Sequence, residues 1–191
     1  MNEPVGLGSA NAQLSVHIAN RPPLARYQNL KNFTVLSPGE IASVAKETGN
    51  HWRKIFNVYA KLVYALDQKI ESVSGQKKAV TSLHFGSQRY DNWQTYRDAV
   101  LLQAGSDTAL WFNKKFDASQ GSSSGQSLHI IMGRQYAASL DLPAMVAFDA
   151  DFSVNREQRV IIVPYFDYRQ LSNKKLEILV GLIFSLFSAG D

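Results

Sequence analysis

Three short stretches of the chain carry side chains that could do chemistry. The first is Met132-Gly133-Arg134-Gln135-Tyr136. A buried strand running through glycine into a helix presents amide N–H groups that have no intrahelical acceptor, and these favour an anion. Arg134 would add a positive charge there. One glycine falls short of a phosphate-binding fingerprint, which needs several at fixed spacing. A tight strand-to-helix turn that demands a residue without Cβ accounts for Gly133 more plainly. The second stretch is Pro164-Tyr165-Phe166-Asp167-Tyr168-Arg169-Gln170. It offers three aromatic rings, a carboxylate, a guanidinium and an amide, a set suited to stacking on and hydrogen-bonding to a flat ligand. The competing account has the aromatics covering a sheet edge while Asp167 pairs with Arg169. The third is Asp149-Ala150-Asp151. Two carboxylates two residues apart could hold a hard cation or divide acid and base roles. Aspartate also bonds its own backbone in turns, and with the next acid only at Glu157 the turn is the preferred reading.

Other chemistries lack their residues. The chain has no cysteine, so disulfides, thiolate zinc sites and cysteine nucleophiles are excluded. His17, His51, His84 and His129 are scattered without metal-ligand spacing. His17 lies opposite the apolar side chains of its strand, which points it to solvent. No Gly-x-Ser-x-Gly elbow is present. Asn50-His51-Trp52-Arg53-Lys54 mixes an imidazole, an indole and two cations, which would suit stacking plus phosphate contact. Trp52 falls on an apolar helical stripe, however, and burial explains it more simply. No catalytic set, metal site or cofactor motif emerges.

The elements that must position these residues follow from periodicity. Gln13 to Ala19 alternates, with Leu14, Val16 and Ile18 on one face, as a half-buried strand does. Ser37-Pro38-Gly39-Glu40 has the chemistry of a helix start, and Gly49 that of its end. From Asn50 to about Glu71, Trp52, Ile55, Phe56, Tyr59, Leu62, Val63, Leu66 and Ile70 draw one stripe along a long helix. Such a helix packs lengthwise, and a sheet is the expected partner. Asp91 or Asn92 can cap a short helix carrying Trp93, Tyr96 and Val100. Thr108–Phe112 reads as a strand. Leu128–Met132, Ala144–Phe148 and Arg159–Val163 are apolar runs of the kind buried on both faces of a sheet. Arg134–Leu140 could form two helical turns, and Ser172 can cap a last helix carrying Leu176, Leu179, Val180, Ile183 and Phe187. Residues 72–78 read as a polar turn.

Together these imply a single α/β domain spanning residues 1–191: three layers, a mixed or mostly parallel central sheet, helices on both faces. Residues 1–11 read as a flexible N-terminus, and residues 113–127, with their Gln-Gly-Ser-Ser-Ser-Gly-Gln-Ser tract, as a mobile surface loop. With 191 residues, 45% hydrophobic and 19% charged, the composition is that of an ordinary globular domain. No secretory signal is visible, and the apolar run 176–187 is too short to span a bilayer, so a cytoplasmic protein is expected.

A net charge of +4 permits anionic partners, but the Lys and Arg residues are spread along the chain rather than gathered in one stripe. The leading functional reading is a non-catalytic domain that binds a small anionic or aromatic ligand or a protein partner. Its candidate residues are Gly133, Arg134, Tyr165, Asp167, Tyr168, Arg169 and Gln170. The alternatives are an enzyme whose site assembles only in the fold, from Asp149, Asp167, Arg169 and His51, and a nucleic-acid-binding protein. The apolar surface of the long helix and the C-terminal run also suggests self-association into a homo-oligomer.

The segments NRPPLARY, GNHWRKIFNVYAKL and VPYFDYRQLSNKKL resemble a small family of uncharacterised bacterial proteins, of the kind found in marine gammaproteobacteria and on mobile gene cassettes. That resemblance implies no activity. The chain is also similar to the uracil-DNA glycosylase fold, in which a buried strand enters glycine and a helix, as Leu128–Ala137 does, and a later strand enters a proline loop and the last helix, as Arg159–Lys175 does. That family's histidine-proline-serine signature would fall near Val163-Pro164-Tyr165, where no histidine stands, and its Gly-x-Asp-Pro-Tyr motif is absent. A shared architecture would therefore not carry the shared chemistry.

Overall fold

A computed structural model describes residues 4–73, 83, 85–112, 115–117 and 127–188. Its centre is an eight-stranded mixed sheet built from β1 (Gly6–Gly8), β2 (Leu14–His17), β3 (Phe33–Thr34), β4 (Thr108–Trp111), β5 (Leu128–Met132), β6 (Val146–Ala147), β7 (Ser153–Asn155) and β8 (Val160–Val163). The order is β3-β1-β4-β2-β5-β8-β7-β6. β4, β2, β5 and β8 run parallel, β1 is antiparallel to β4, and β7 is antiparallel to β8. The helices are α1 (Ala25–Gln28), α2 (Glu40–Thr48), α3 (Asn50–Val73), α4 (Trp93–Ala99), α5 (Arg134–Ala138) and α6 (Asn173–Ser188). The α/β class, the mixed sheet and the single domain expected from periodicity all hold. None of the helices among the described residues is long and apolar enough to cross a membrane.

The two sheet faces are covered unequally. Leu14, Val16 and Ile18 of the β2 segment, Leu110 of β4, Leu128, Ile130 and Met132 of β5 and Ile161 and Val163 of β8 share one large core with α2, α3, α4 and α6. The stripe from Trp52 to Ile70 on α3 is buried against them, as its spacing requires. Tyr59, fully buried on α3, reaches the sheet itself: its hydroxyl lies 3.1 Å from the Leu14 carbonyl oxygen and 2.9 Å from that of Ala109. The opposite face carries smaller clusters, one of Ile131, Val160 and Ala137 of α5, another of Ala12, Ala109 and Trp111.

This second face overturns one expectation. His17 is 1% exposed rather than solvated, and Ser15 beside it is fully buried. The alternation in β2 is real, but both of its faces are covered. His17 and His129 sit on adjacent parallel strands as diagonal neighbours, His17 being in register with Ile131 and Ser15 with His129. His17 Nε2 and His129 Nδ1 are 3.1 Å apart, one nitrogen donating to the other. The His17 ring also stacks on Trp111, centroids 5.6 Å apart, and meets the edge of Phe116.

Two further expectations are corrected. Within residues 1–11, read as a flexible N-terminus, Gly6–Gly8 form β1, a buried strand between β3 and β4. Its glycines answer to proximity, not looseness. A Cβ on Gly6 would lie 2.5 Å from the Leu110 carbonyl oxygen; one on Gly8, whose φ is +88°, would lie 2.2 Å from that of Thr108. The run Ala144–Phe148 yields only the two-residue edge strand β6, and Val146 and Phe148 are 70% and 49% exposed rather than doubly covered. Strands β3 and β7, without long apolar runs, had no periodic signal.

Turn chemistry behaves as its residue types dictate. Asn92 caps α4 by accepting from the Thr95 amide at 3.0 Å, and the Ser37 amide donates to Glu40 at 2.8 Å. Asp67, buried on α3, accepts from the amides of Phe85 and Ser87 and so fixes the turn Ser87–Arg89. Most of the 72–78 turn and of the 113–127 loop lies outside the described residues; Ser127, at the end of the latter, is buried.

Candidate functional site

In an open α/β sheet, ligand clefts form beyond the carboxyl ends of the parallel strands, where consecutive crossovers leave in opposite directions. Here that point falls between β2 and β5. From β2 the chain passes through α3, on the large-core face, to β4 on one side; from β5 it passes through α5, on the opposite face, to β8 on the other. A cleft of about 770 Å³ opens there. Ala19 and Asn20 contribute to it from the end of β2, Met132 to Tyr136 from β5 and α5, Pro164 and Tyr165 from the end of β8, and Gln170 and Lys175 from the approach to α6.

Gly133 makes the turn out of β5 with φ +93° and ψ +134°, a conformation that side chains resist. Its amide donates to the Val163 carbonyl at 2.9 Å, so the turn is tied to β8. The position where a Cβ would stand is 3.6 Å from the Tyr165 ring, which closes the cleft on that side. α5 is only five residues long, and its first side chain, Arg134, donates to the Ala150 carbonyl across the cleft mouth. That contact draws the 149–151 turn in. The turn itself is an Asx turn, with Asp149 Oδ1 accepting from the amides of Asp151 and Phe152 at 2.7 and 2.8 Å. Turn chemistry, rather than cation binding, is therefore what Asp149 does. Among the described residues no group of three metal-ligating side chains occurs.

Asp151 is left to pair with Lys175 Nζ at 2.7 Å, both side chains about one-third exposed and both lining the cleft. Tyr165 stacks on His51 of α3, with centroids 5.6 Å apart and planes 28° from parallel, and its hydroxyl lies 3.0 Å from His51 Nε2. Burial pushes the Tyr165 phenol above its ordinary pKa, against a hydrogen bond from the Asn20 side chain that lowers it. Tyr136 is pushed up to about 12 by burial alone. Both rings are neutral phenols at physiological pH.

The seven candidates from the sequence therefore separate. Gly133, Arg134, Tyr165 and Gln170 line one cleft. Asp167, Tyr168 and Arg169 do not. Asp167 pairs with Lys54 of α3 at 2.7 Å, not with the Arg169 guanidinium, while its other oxygen accepts from the Arg169 amide at 2.9 Å. The Lys54 ammonium beside it, together with that amide, holds the Asp167 carboxyl below its usual range. Lys54 also lies 4.7 Å from the ring centroid of Tyr168, which is otherwise exposed. These residues brace the loop after β8 onto α3. Of the loop's aromatics, Phe166 is fully buried against Tyr59, and so belongs to the core.

Asn20 and Lys175 were not singled out in the sequence, while Tyr136, Asp151 and His51 stood in other candidate stretches and not in the binding set of seven. Asn20 could have been found by applying the carboxyl-end rule to β2 as it was applied to β8. Lys175 and His51 join only through the packing of α6 and α3, which no local spacing encodes.

No curated protein and no solved structure is significantly similar to the chain. A family model does match, over residues 5–184, from just before β1 into the last turns of α6, so that every element of the cleft falls within it. The chain thus belongs to the family of unknown function DUF6942.

Proposed function

We propose that the chain binds a small molecule bearing a flat ring and an anionic group in the cleft beyond β2, β5 and β8. One observation carries the reading: at the switch point of the sheet, the tyrosine rings Tyr136 and Tyr165 and the cations Arg134 and Lys175 converge on one opening, with Asp151 the carboxylate among the lining residues. The volume is in the range that buries metabolite-sized ligands. Tyr165 supplies a stacking face, Asn20 and Gln170 supply amides, and the Lys175–Asp151 pair can exchange its partner for a ligand anion.

The test is a thermal-shift screen against nucleotides, aromatic acids and sugar phosphates, followed by calorimetric titration of any stabilising compound. Tyr165→Leu and Lys175→Met should each weaken that compound at least tenfold. A screen in which nothing raises Tm, or a hit that both variants bind unchanged, would defeat the proposal.

A catalytic reading draws on the contact between the Tyr165 hydroxyl and His51 Nε2, which pairs a proton donor with an acceptor at the cleft edge. It requires turnover of a bound compound that His51→Gln abolishes while leaving its affinity intact.

A further inference from the structure

A second cavity, of about 340 Å³, lies at the junction of α2, α3 and α4, apart from the cleft just described. Its apolar lining is Ala42 and Ala45, backed by the buried side chains of Ile41 and Phe56. Its walls carry three cations, Lys46 from α2, Arg53 from α3 and Arg97 from α4, with the amides of Asn50 and Asn57 between them. No carboxylate is among the described residues that line it.

The three cations are not equivalent. Arg97 is immobilised: two of its nitrogens donate to Asp98 at 2.7 and 2.9 Å, a third donates to the Asn57 side chain, and the guanidinium lies 5.6 Å from the ring centroid of Trp93. Asp98 offsets its charge. Lys46 and Arg53 have no ion-pair or hydrogen-bonding side-chain partner among the described residues, since the nearby Glu47 is engaged by Arg26 and Ser43. Two uncompensated cations therefore face one concavity beside a fixed guanidinium. Like charges gathered in this way repel each other, and a bound anion removes that cost.

We infer that this cavity is a site for a tetrahedral oxyanion of the phosphate class, held by Lys46 and Arg53, with Asn50 and Asn57 as amide donors and the Arg97–Asp98 pair as a rigid wall. The small side chains of Ala42 and Ala45 give room for the carbon body of a phosphate monoester. A free phosphate and an esterified one share the headgroup chemistry and differ only in contact with the apolar lining at Ala42 and Ala45.

The experiment is a ¹⁵N-resolved NMR titration of the intact chain with inorganic phosphate and, separately, with phenyl phosphate at low ionic strength. Expected are saturable shifts confined to the amides of residues 46–57 and to Arg97 Nε. Arg53→Gln and Lys46→Gln should each weaken binding at least tenfold, with melting temperatures close to that of the parent because both side chains are exposed. Lys69→Gln, which removes the same charge four turns further along α3, should leave affinity unchanged. Tighter binding of phenyl phosphate identifies an ester as the ligand type; equal binding identifies the free anion. Non-saturating shifts, equal weakening by Lys69→Gln, or shifts centred on Gly133 and Tyr165 would each overturn the assignment, the last by moving the anion to the other cleft.

Discussion

The buried His17–His129 contact makes a quantitative claim on stability. His17 is fully enclosed, and desolvation, with the neighbouring His129 as a smaller contribution, lowers its pKa well below the ordinary value of 6.5. The native imidazole is therefore neutral through mildly acid pH, whereas the unfolded one is free to protonate. Where the unfolded chain binds more protons, stability falls as pH falls. An unfolded histidine of pKa about 6.5 carries about 0.24 proton at pH 7 and about 0.91 at pH 5.5. Integrating between these limits, His17 alone should remove about 1.3 kcal/mol from the unfolding free energy, at roughly 1.4 kcal/mol per pH unit once well below 6.5. The assay is a set of urea melts at pH 7.5, 7.0, 6.0 and 5.5, run on the parent chain and on His17→Phe. Phenylalanine keeps a ring against Trp111 and Phe116 but cannot titrate. Its absolute stability is immaterial, because the comparison is between slopes. The parent curve should fall more steeply than the variant's by about 1.3 kcal/mol over that interval. Parallel curves would refute the reasoning and mean that His17 protonates in the native state as readily as in the unfolded one.

Two further outcomes follow from the packing. Tyr59→Phe removes the hydroxyl that reaches the Leu14 and Ala109 carbonyls and should cost about 1–2 kcal/mol in chemical denaturation with no change in the far-UV spectrum. Gly8→Ala forces a methyl onto the Thr108 carbonyl at a positive φ; it should cost about 3 kcal/mol or more, measured by the same melts, whereas Gly105→Ala, also at positive φ but facing open space, should cost about 1 kcal/mol.

What the sequence disclosed tracks how local the determining physics is. α3 was legible because eight apolar side chains repeat at helical spacing over nineteen residues, and β5 and β8 because their apolar runs are bounded by glycine and proline. β1 was not legible, because Gly-Leu-Gly carries one apolar side chain and its glycines are explained only by the carbonyls of β4, far along the chain. His17 was placed on the wrong side of the solvent boundary for a related reason: polarity in alternate positions signals an exposed face only if nothing covers it. The site divided in the same way. Gly133, Arg134, Tyr165 and Gln170 follow strand ends and could be proposed from the carboxyl-end rule. The attachment of Asp167 to Lys54 depends on how α3 lies across the sheet, and neighbouring letters favoured Arg169 instead.

The strand order has a consequence for biosynthesis. β1 is hydrogen-bonded to β4, with Gly6 opposite Trp111, and β2 lies between β4 and β5. β1 gains its β3 neighbour soon after synthesis, but the β4 and β5 partners of the two strands are made far later. At translation rates of about 5–20 residues per second, a gap of about a hundred residues keeps Leu14, Val16 and Ile18 unpaired for roughly 5–20 seconds. During that interval the apolar stripe of α3 is already synthesised, so the nascent chain holds a helix waiting for its sheet. Pairing of β2 is set by the arrival of β4 and β5, and closure of the core waits for β8 and α6.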